Sequence, residues 1–415
     1  MALLVPACAA GLLALVGPDG PGAPGQRFLT DAQGRALFLY GVNDTVGAVT
    51  GSGSVAAEQR LLGTDFVRLQ LAGADPASLR AAAQRVRWYA RQGSYVLLVL
   101  PSPGPAGDLA WWDGFWSGDG AGGATRRAYL DAWAAVSRYF ASDATVVGYD
   151  LLDRPWGGSL PGPVFEAGPL AGFYQELIGR VRQADGRHWL FVEPAAIAGR
   201  GMASALPHLD DPRPGGARLG YAPQLAPVTL ERGRYQDDNA FLTDRFLASW
   251  AVQVRRTARR LGAPVVVGSW STDVSLPEAH LYLDRVQQVL GDLLAGEAWW
   301  TAQPGPRSPW AAPGRPADFA SVLATVYPRA VAGQPLAFSY DKSVSTVTLT
   351  WRDLAGVRGR TEVYLPPGDF PGPLQVELDG GDSGATSWDP SRHVLSVTVV
   401  QATGAVHQLR ITPGH

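Results

Sequence analysis

The sequence predicts an α/β protein: a (β/α)8 TIM barrel followed by a small C-terminal antiparallel β-sandwich. Three observations predict it. Strand-like runs alternate with helical patterns from about residue 36 to residue 300. Several of those runs are apolar on both faces, as expected where helices cover one side and a barrel interior the other. After about residue 330 the texture changes to short period-two strands separated by Gly and Pro turns. At ~100–200 residues per domain, a chain of 415 residues has room for both parts.

The barrel strands are expected, in order, at ALFLYGVN (36–43), DFVRLQL (65–71), SYVLLVL (94–100), TVVGYDLL (145–152), HWLFVEP (188–194), ARLGYAP (217–223), PVVVGSW (264–270) and EAWWTA (297–302). Helices between them are expected at 75–93, 126–142 and 241–262, where apolar residues recur at spacings of three and four. A doubly wound sheet is the competing arrangement; eight strand–helix repeats over this length favour the barrel. Beyond the barrel, the runs 336–352, 361–367, 374–381 and 393–412 read as sandwich strands. The expected division is therefore a barrel over 18–330 and a sandwich over 334–413. The sandwich reads first as structural support for the barrel and second as a carbohydrate- or surface-binding accessory.

The N-terminus has its own signal. Residues 2–16 are apolar and the first charged side chain is Asp19. Fifteen residues are short for a membrane span, which needs about 20. The stretch fits the apolar part of a secretory signal peptide over 1–17, followed by a Gly/Pro linker. Export to the cell envelope or the medium is then expected. No Lys or Arg precedes the stretch and no A-x-A site follows it. A mis-started gene, a buried segment and a lipid-modified Cys8 are the rival readings. If 2–16 is not a signal, the location is cytoplasmic.

Composition excludes several chemistries. Apolar residues make up 46% and charged residues 17%, the balance of a folded chain. The formal net charge of −2 gives no support to nucleic-acid binding. Lys342 is the only lysine and sits in no Gly-rich phosphate motif. Cys8 is the only cysteine, so neither an intramolecular disulfide nor a Cys-based zinc site can form. No HExxH occurs, and neither a metal nor a cofactor is expected. What remains is 37 carboxylates and 14 tryptophans, which suit carbohydrate chemistry if the acids lie where chemistry needs them.

In a TIM barrel that place is the C-terminal ends of the strands. The fourth ends YDLLDRPWGG (149–158) and the seventh VVVGSWST (265–272). These resemble the signatures of glycoside hydrolase family 5, in particular its endoglycoceramidase branch. DAQGRALFLYGVN (31–43), DFVRL (65–69), LFVEP (190–194), VYPRAVAGQPLAFSYD (326–341) and TEVYLPP (361–367) extend the likeness over nearly the whole chain. The resemblance implies a cleft that takes a glycan or glycolipid, with peripheral membrane contact. It implies binding roles for Asn43, Arg68, Tyr221, Gln224, Trp156, Trp270 and Trp300. It also aligns the family's acid/base Glu with Arg154, the Asn before it with Asp153, and the nucleophile Glu with Ser269. Where the family's third strand ends in sugar-binding polar groups, Leu100, Pro101 and Ser102 stand here. Gln224 occupies the place of the strand-6 His.

A retaining glycosidase holds two carboxyls about 5 Å apart, one as nucleophile and one as acid then base. An Arg side chain, with a pKa above ~12, cannot protonate a leaving group at neutral pH. Ser269 carries no ionised oxygen and has no adjacent histidine to activate it. The first expectation is therefore a chain that binds a glycan or glycolipid without cleaving it. The second is an active hydrolase or transglycosylase using displaced acids, for which Asp153, Glu193, Asp273 and Asp44 are the candidates. The third is a structural or interaction module whose cleft is filled by residues such as Leu100, Pro101 and Leu225. Trp88, Trp133 and Trp250 read as helix-face core. The run WWDGFW (111–116) is expected in a loop after the third strand, where stacking on a sugar competes with burial.

Overall fold

The computed structural model describes residues 27–414, apart from 48–61, 232–233, 277, 304, 313–314, 317–319, 380, 383–385 and 401. The apolar stretch 2–16 and Cys8 thus lie outside the described residues. Eight parallel strands make the barrel: β1 (Tyr40–Thr45), β2 (Phe66–Gln70), β3 (Tyr95–Val99), β4 (Val146–Asp150), β5 (Trp189–Val192), β6 (Leu219–Tyr221), β7 (Val266–Trp270) and β8 (Gly296–Trp299). Each pairs with the next from β1 to β6. β7 pairs with β8, and β8 returns to β1. Between β6 and β7 the ladder thins to a bridge from Tyr221 to Val265. A ninth, two-residue strand, Gln224–Leu225, then runs beside Ser269 and Trp270. This last step carries Gln224 to the mouth of the barrel.

Period-two alternation decides what fills the interior. Phe66, Leu97, Phe191 and Val266 form one apolar cluster with Leu39, Ala222 and Ala298 in the N-terminal half. Two residues further along the same inward rows come Arg68 after Phe66, Asp150 after Gly148 and Glu193 after Phe191, all buried. The barrel is thus oily below and ionic above. Gly148 permits the change, because a Cβ there would meet the Trp189 carbonyl oxygen at 2.4 Å. The opposite rows, including Val67, Leu69, Leu98, Tyr149 and Leu190, pack under the helices.

Those helices start and stop as their sequences dictate. Pro76–Arg91 is capped by Asp75, whose carboxylate accepts from the Ala77 and Ser78 amides. Asp237–Leu261 ends on Gly262 at φ +62°, the left-handed residue expected after a last helical turn. Trp133 and Trp250 are buried on helix faces, and Trp88 packs half-buried against the same core.

Two expectations are corrected. The segment 36–43 is not one strand: Ala36–Leu37 pairs antiparallel with Tyr327–Val331 in the sandwich, and only Tyr40 onward joins the barrel. The Trp111–Trp116 run is not in a loop but in a helix, Leu109–Ser117, capped by Asp108 and closed by Gly118 at φ +82°. Trp112 and Phe115 are fully buried, and Trp116 packs against Phe165 and Phe173.

The C-terminal part is two antiparallel sheets. One runs through Tyr327–Val331, Thr361–Tyr364, Val394–Val397 and Thr386–Asp389, with Leu29–Thr30 and Ala36–Leu37 at its edge. The other contains Gln334–Asp341, Thr346–Arg352, Val406–Pro413, Leu374–Leu378 and Gly381–Asp382. Between them lie Val347, Leu349, Trp351, Val363, Leu395, Leu409 and Ile411. Barrel residue Tyr40 joins that same cluster, so the two parts share a core. The Tyr327 hydroxyl donates to the Gly63 carbonyl at 2.6 Å across the junction.

Candidate functional site

The C-terminal ends of the strands open into a cleft of about 580 Å³. Its floor is an ionic cluster built on Arg68. Nε donates to Asp150 at 2.8 Å, Nη1 to Asn43 at 3.1 Å, and Nη2 to both Asp153 at 2.8 Å and Glu193 at 3.0 Å. Gln224 Nε2 donates to Glu193 Oε2 at 2.8 Å and reaches Asp153 Oδ1 at 3.4 Å. The Arg154 amide also donates to Glu193 Oε2, at 2.9 Å, and its side-chain Nε to Asp153 Oδ2, at 3.3 Å. Arg154 adopts φ +48°, a conformation non-glycine residues rarely take. The hydrogen bond its backbone N–H donates to Glu193 is one of the interactions that hold it there.

One guanidinium cannot balance three buried carboxylates. Burial pushes the Glu193 carboxyl well above the usual range, and repulsion from Asp150 and Asp153 adds to it. Burial also raises Asp150, against the pull of Arg68. Burial works the same way on Asp153, but Arg68 and then Arg154 outweigh it and hold this carboxyl below the usual range. The cluster therefore favours the charged form of Asp153, beside two arginines, and disfavours the charged form of Glu193 behind it.

The walls of the cleft carry Trp156, Trp300 and Tyr235, with Trp270 and Leu225 nearly fully buried behind them. Arg154 projects into the space with its side chain 53% exposed, and Ser269 lines it from the end of β7. Arg200 and Arg307 lie on the rim, and Glu278 is paired with Arg234 at 2.6 Å. Aromatic faces beside hydroxyls, a primary amide and guanidinium groups can stack on a sugar ring and bond its hydroxyls. Among the described residues, no group of three or more His, Cys, Asp or Glu side chains could hold a metal ion.

The expected site residues divide. Arg68, Asp153, Arg154, Trp156, Gln224, Ser269, Trp270, Asp273 and Trp300 line one cleft. Asn43 lies beneath it: Oδ1 accepts from Arg68, and Nδ2 donates to the Gly268 carbonyl at 3.0 Å and the Ala298 carbonyl at 3.2 Å. Tyr221 is buried behind the wall. Neither reaches the open space. Of the candidate substitute acids, Asp44 faces the helices, where Arg85, Tyr89 and Gln303 take both oxygens. Asp273 folds its own turn by accepting from the Ser275 amide and hydroxyl at 2.9 and 2.7 Å. Asp153 and Glu193 share one arginine nitrogen and so lie within about 6 Å of each other. The filled-cleft expectation fails: Leu225 lies nearly buried behind the wall, Leu100 is buried in the core and Pro101 is exposed. Sequence reasoning missed Arg200, Tyr235 and Arg307, which come from loops without periodic pattern. It also missed Asp150, which alternation from Tyr149 would have placed inside the barrel.

A barrel with a sandwich behind it places a polar, aromatic-lined cleft at its strand ends, where barrel enzymes hold their ligands. Residues 326–411 match the model of the glycoside hydrolase family 5 C-terminal domain. The structure is similar to endo-glycoceramidase II from Rhodococcus sp., with a TM-score of 0.84 and 30% identity over 94% of this chain and 100% of that one. That enzyme has been solved with a cellobiose-like isofagomine and, at the same similarity, in a ganglioside GM3 complex. At 11% identity and a TM-score of 0.72, sterylglucosidase 1 from Cryptococcus neoformans shares the fold, with 96% of this chain and 98% of that one covered. No curated protein matches the sequence. The chain belongs to glycoside hydrolase family 5, among its endoglycoceramidase-like members.

Proposed function

We propose that this protein binds a glycan, or the sugar head group of a glycolipid, without cleaving it. One observation carries the reading. The groups presented to the cleft at the ends of β4 and β7 are a guanidinium, Arg154, and a hydroxyl, Ser269. The resemblance of the strand-end motifs aligns these two positions with the family's acid/base and nucleophile Glu. The nearest carboxyls do not replace them. Asp153 and Glu193 lie close together, but all four of their oxygens are already bonded to Arg68, Arg154 or Gln224. Those bonds hold both carboxyls in the ionic floor rather than presenting them to an anomeric carbon or a leaving oxygen. Binding needs no such group, and the tryptophans and the open volume supply it. The ganglioside complex of the Rhodococcus enzyme supports a glycolipid as ligand.

The test restores the missing carboxyls. The triple variant Asp153→Asn, Arg154→Glu, Ser269→Glu should gain at least ~100-fold in glycosphingolipid hydrolysis, the lower end of what acid/base help supplies. The wild type should release no oligosaccharide. A second reading rests on the opposed shifts of Asp153 and Glu193, the signature of an acid and a base tuned apart. It requires wild-type turnover that Asp153→Asn abolishes.

A further inference from the structure

The opposite end of the barrel carries another cavity, of about 460 Å³, between the starts of the strands and the edge of the sandwich. Arg27, Arg213 and Arg218 line it, and among the described residues no acidic side chain does. The segment 211–218, DPRPGGAR, builds this arrangement. Asp211 turns inward, its side chain fully buried, and closes the segment into a ring. Its Oδ1 accepts from the Arg213 amide at 3.2 Å and its Oδ2 from the Arg218 amide at 2.9 Å. The same two oxygens take Arg182, at 2.8 and 2.9 Å, so the charge of this carboxylate is met from inside the barrel wall. Between its anchors the ring turns at Gly215, φ +84°, and Gly216, φ +91°, conformations that favour glycine.

Backbone carbonyls rather than carboxylates fix the three outward guanidinium groups. Arg213 Nε donates to the Gly186 carbonyl and Nη1 to the Gly216 carbonyl, both at 2.6 Å. Arg218 Nη1 donates to the Arg187 carbonyl. Arg27 Nη2 donates to the Ala217 carbonyl at 3.2 Å, which brings it over the same ring. Arg213 Nη2 and Arg218 Nε and Nη2 have no hydrogen-bond partner among the described residues. Burial, and then the charges of Arg213, Arg182 and Arg187, lower the Arg218 guanidinium below its ordinary value. Like charges held this close, with donors left unpaired, are relieved by an anion.

We propose that this cavity binds a tetrahedral oxyanion, a phosphate or sulfate group, with Arg27, Arg213 and Arg218 donating to its oxygens. Guanidinium groups match such oxygens with paired, charge-assisted bonds. Phe28, Trp189 and Leu354 line the rest of the space, which leaves room for the group as a free ion or as the ester of a small molecule. Bound there, the anion joins the barrel ring to the segment that enters the sandwich edge at Leu29–Thr30. The site is independent of the glycan reading of the cleft.

The test is calorimetric titration with inorganic phosphate, inorganic sulfate and phenyl phosphate at fixed ionic strength, with chloride as the control. At least one of the three should bind saturably, at one per chain, and raise the melting temperature. Phenyl phosphate binding tighter than inorganic phosphate identifies an ester as the ligand; equal or weaker binding identifies the free ion. Arg213→Gln and Arg218→Gln should each weaken binding at least ~10-fold, the loss of one charge-assisted bond. Arg27→Gln should weaken it too, and because Arg27 is exposed this variant probes the site without disturbing the core. Arg80→Gln removes an equal charge from the exposed face of the helix Pro76–Arg91 and should leave binding unchanged. Saturable binding by none of the three probes, or an equal response to chloride, overturns the proposal. So does binding that Arg27→Gln and Arg218→Gln leave unchanged, or that Arg80→Gln weakens as much as they do.

Discussion

Arg68 gathers Asp150, Asp153, Glu193 and the Asn43 amide oxygen on three nitrogens, all out of water. A buried ion cluster adds little net stability when intact, because desolvation opposes the Coulomb gain, but breaking it is costly. Arg68→Met should therefore lower unfolding free energy by ~3–5 kcal/mol in urea titration at neutral pH. The loss should shrink in acid, as Asp153, depressed in the folded state, takes up its proton. Much of this cluster was legible in the sequence: Arg68, Asp153, Glu193 and Gln224 sit where strand ends were expected. Asn43 and Tyr221 were misjudged because a residue at a strand end need not reach the cleft. The Asn43 amide is consumed by the carbonyls of β7 and β8, one layer too deep.

At the level of elements, the barrel strands were legible because each is a short apolar run with a turn after it. The failures have separate causes. The segment 36–43 reads as one apolar run, but sandwich and barrel each claim part of it, and only pairing partners decide where it divides. The Trp111–Trp116 run lacks helical periodicity, since aromatic contacts cover several sides of a short helix. β8 supplies a prediction of its own. Glu297 lies fully buried toward the sandwich, and burial pushes its carboxyl up to about 8, only partly offset by the Trp270 indole. Its contribution to stability is full below the unfolded-state value of ~4.3 and is lost as pH rises through about 8. Glu297→Gln should therefore melt higher than the wild type at pH 9, and the gap should narrow progressively toward pH 4 in paired melting curves.

The whole molecule joins a barrel to a sandwich through one shared core, and opens a polar cleft at the strand ends. Fold and family are carried by packing patterns that run over most of the chain. On the proposed reading, activity is lost through a handful of atoms at the ends of β4 and β7, where a guanidinium and a hydroxyl line the cleft. The central claim is that this cleft holds its ligand and leaves it intact. The most direct measurement incubates concentrated protein with a fluorescently labelled glycosphingolipid overnight and follows bound and released label in one sample. Saturable binding of intact lipid, with no oligosaccharide released, is the predicted result. Oligosaccharide released in proportion to protein, and abolished by Asp153→Asn, would contradict it.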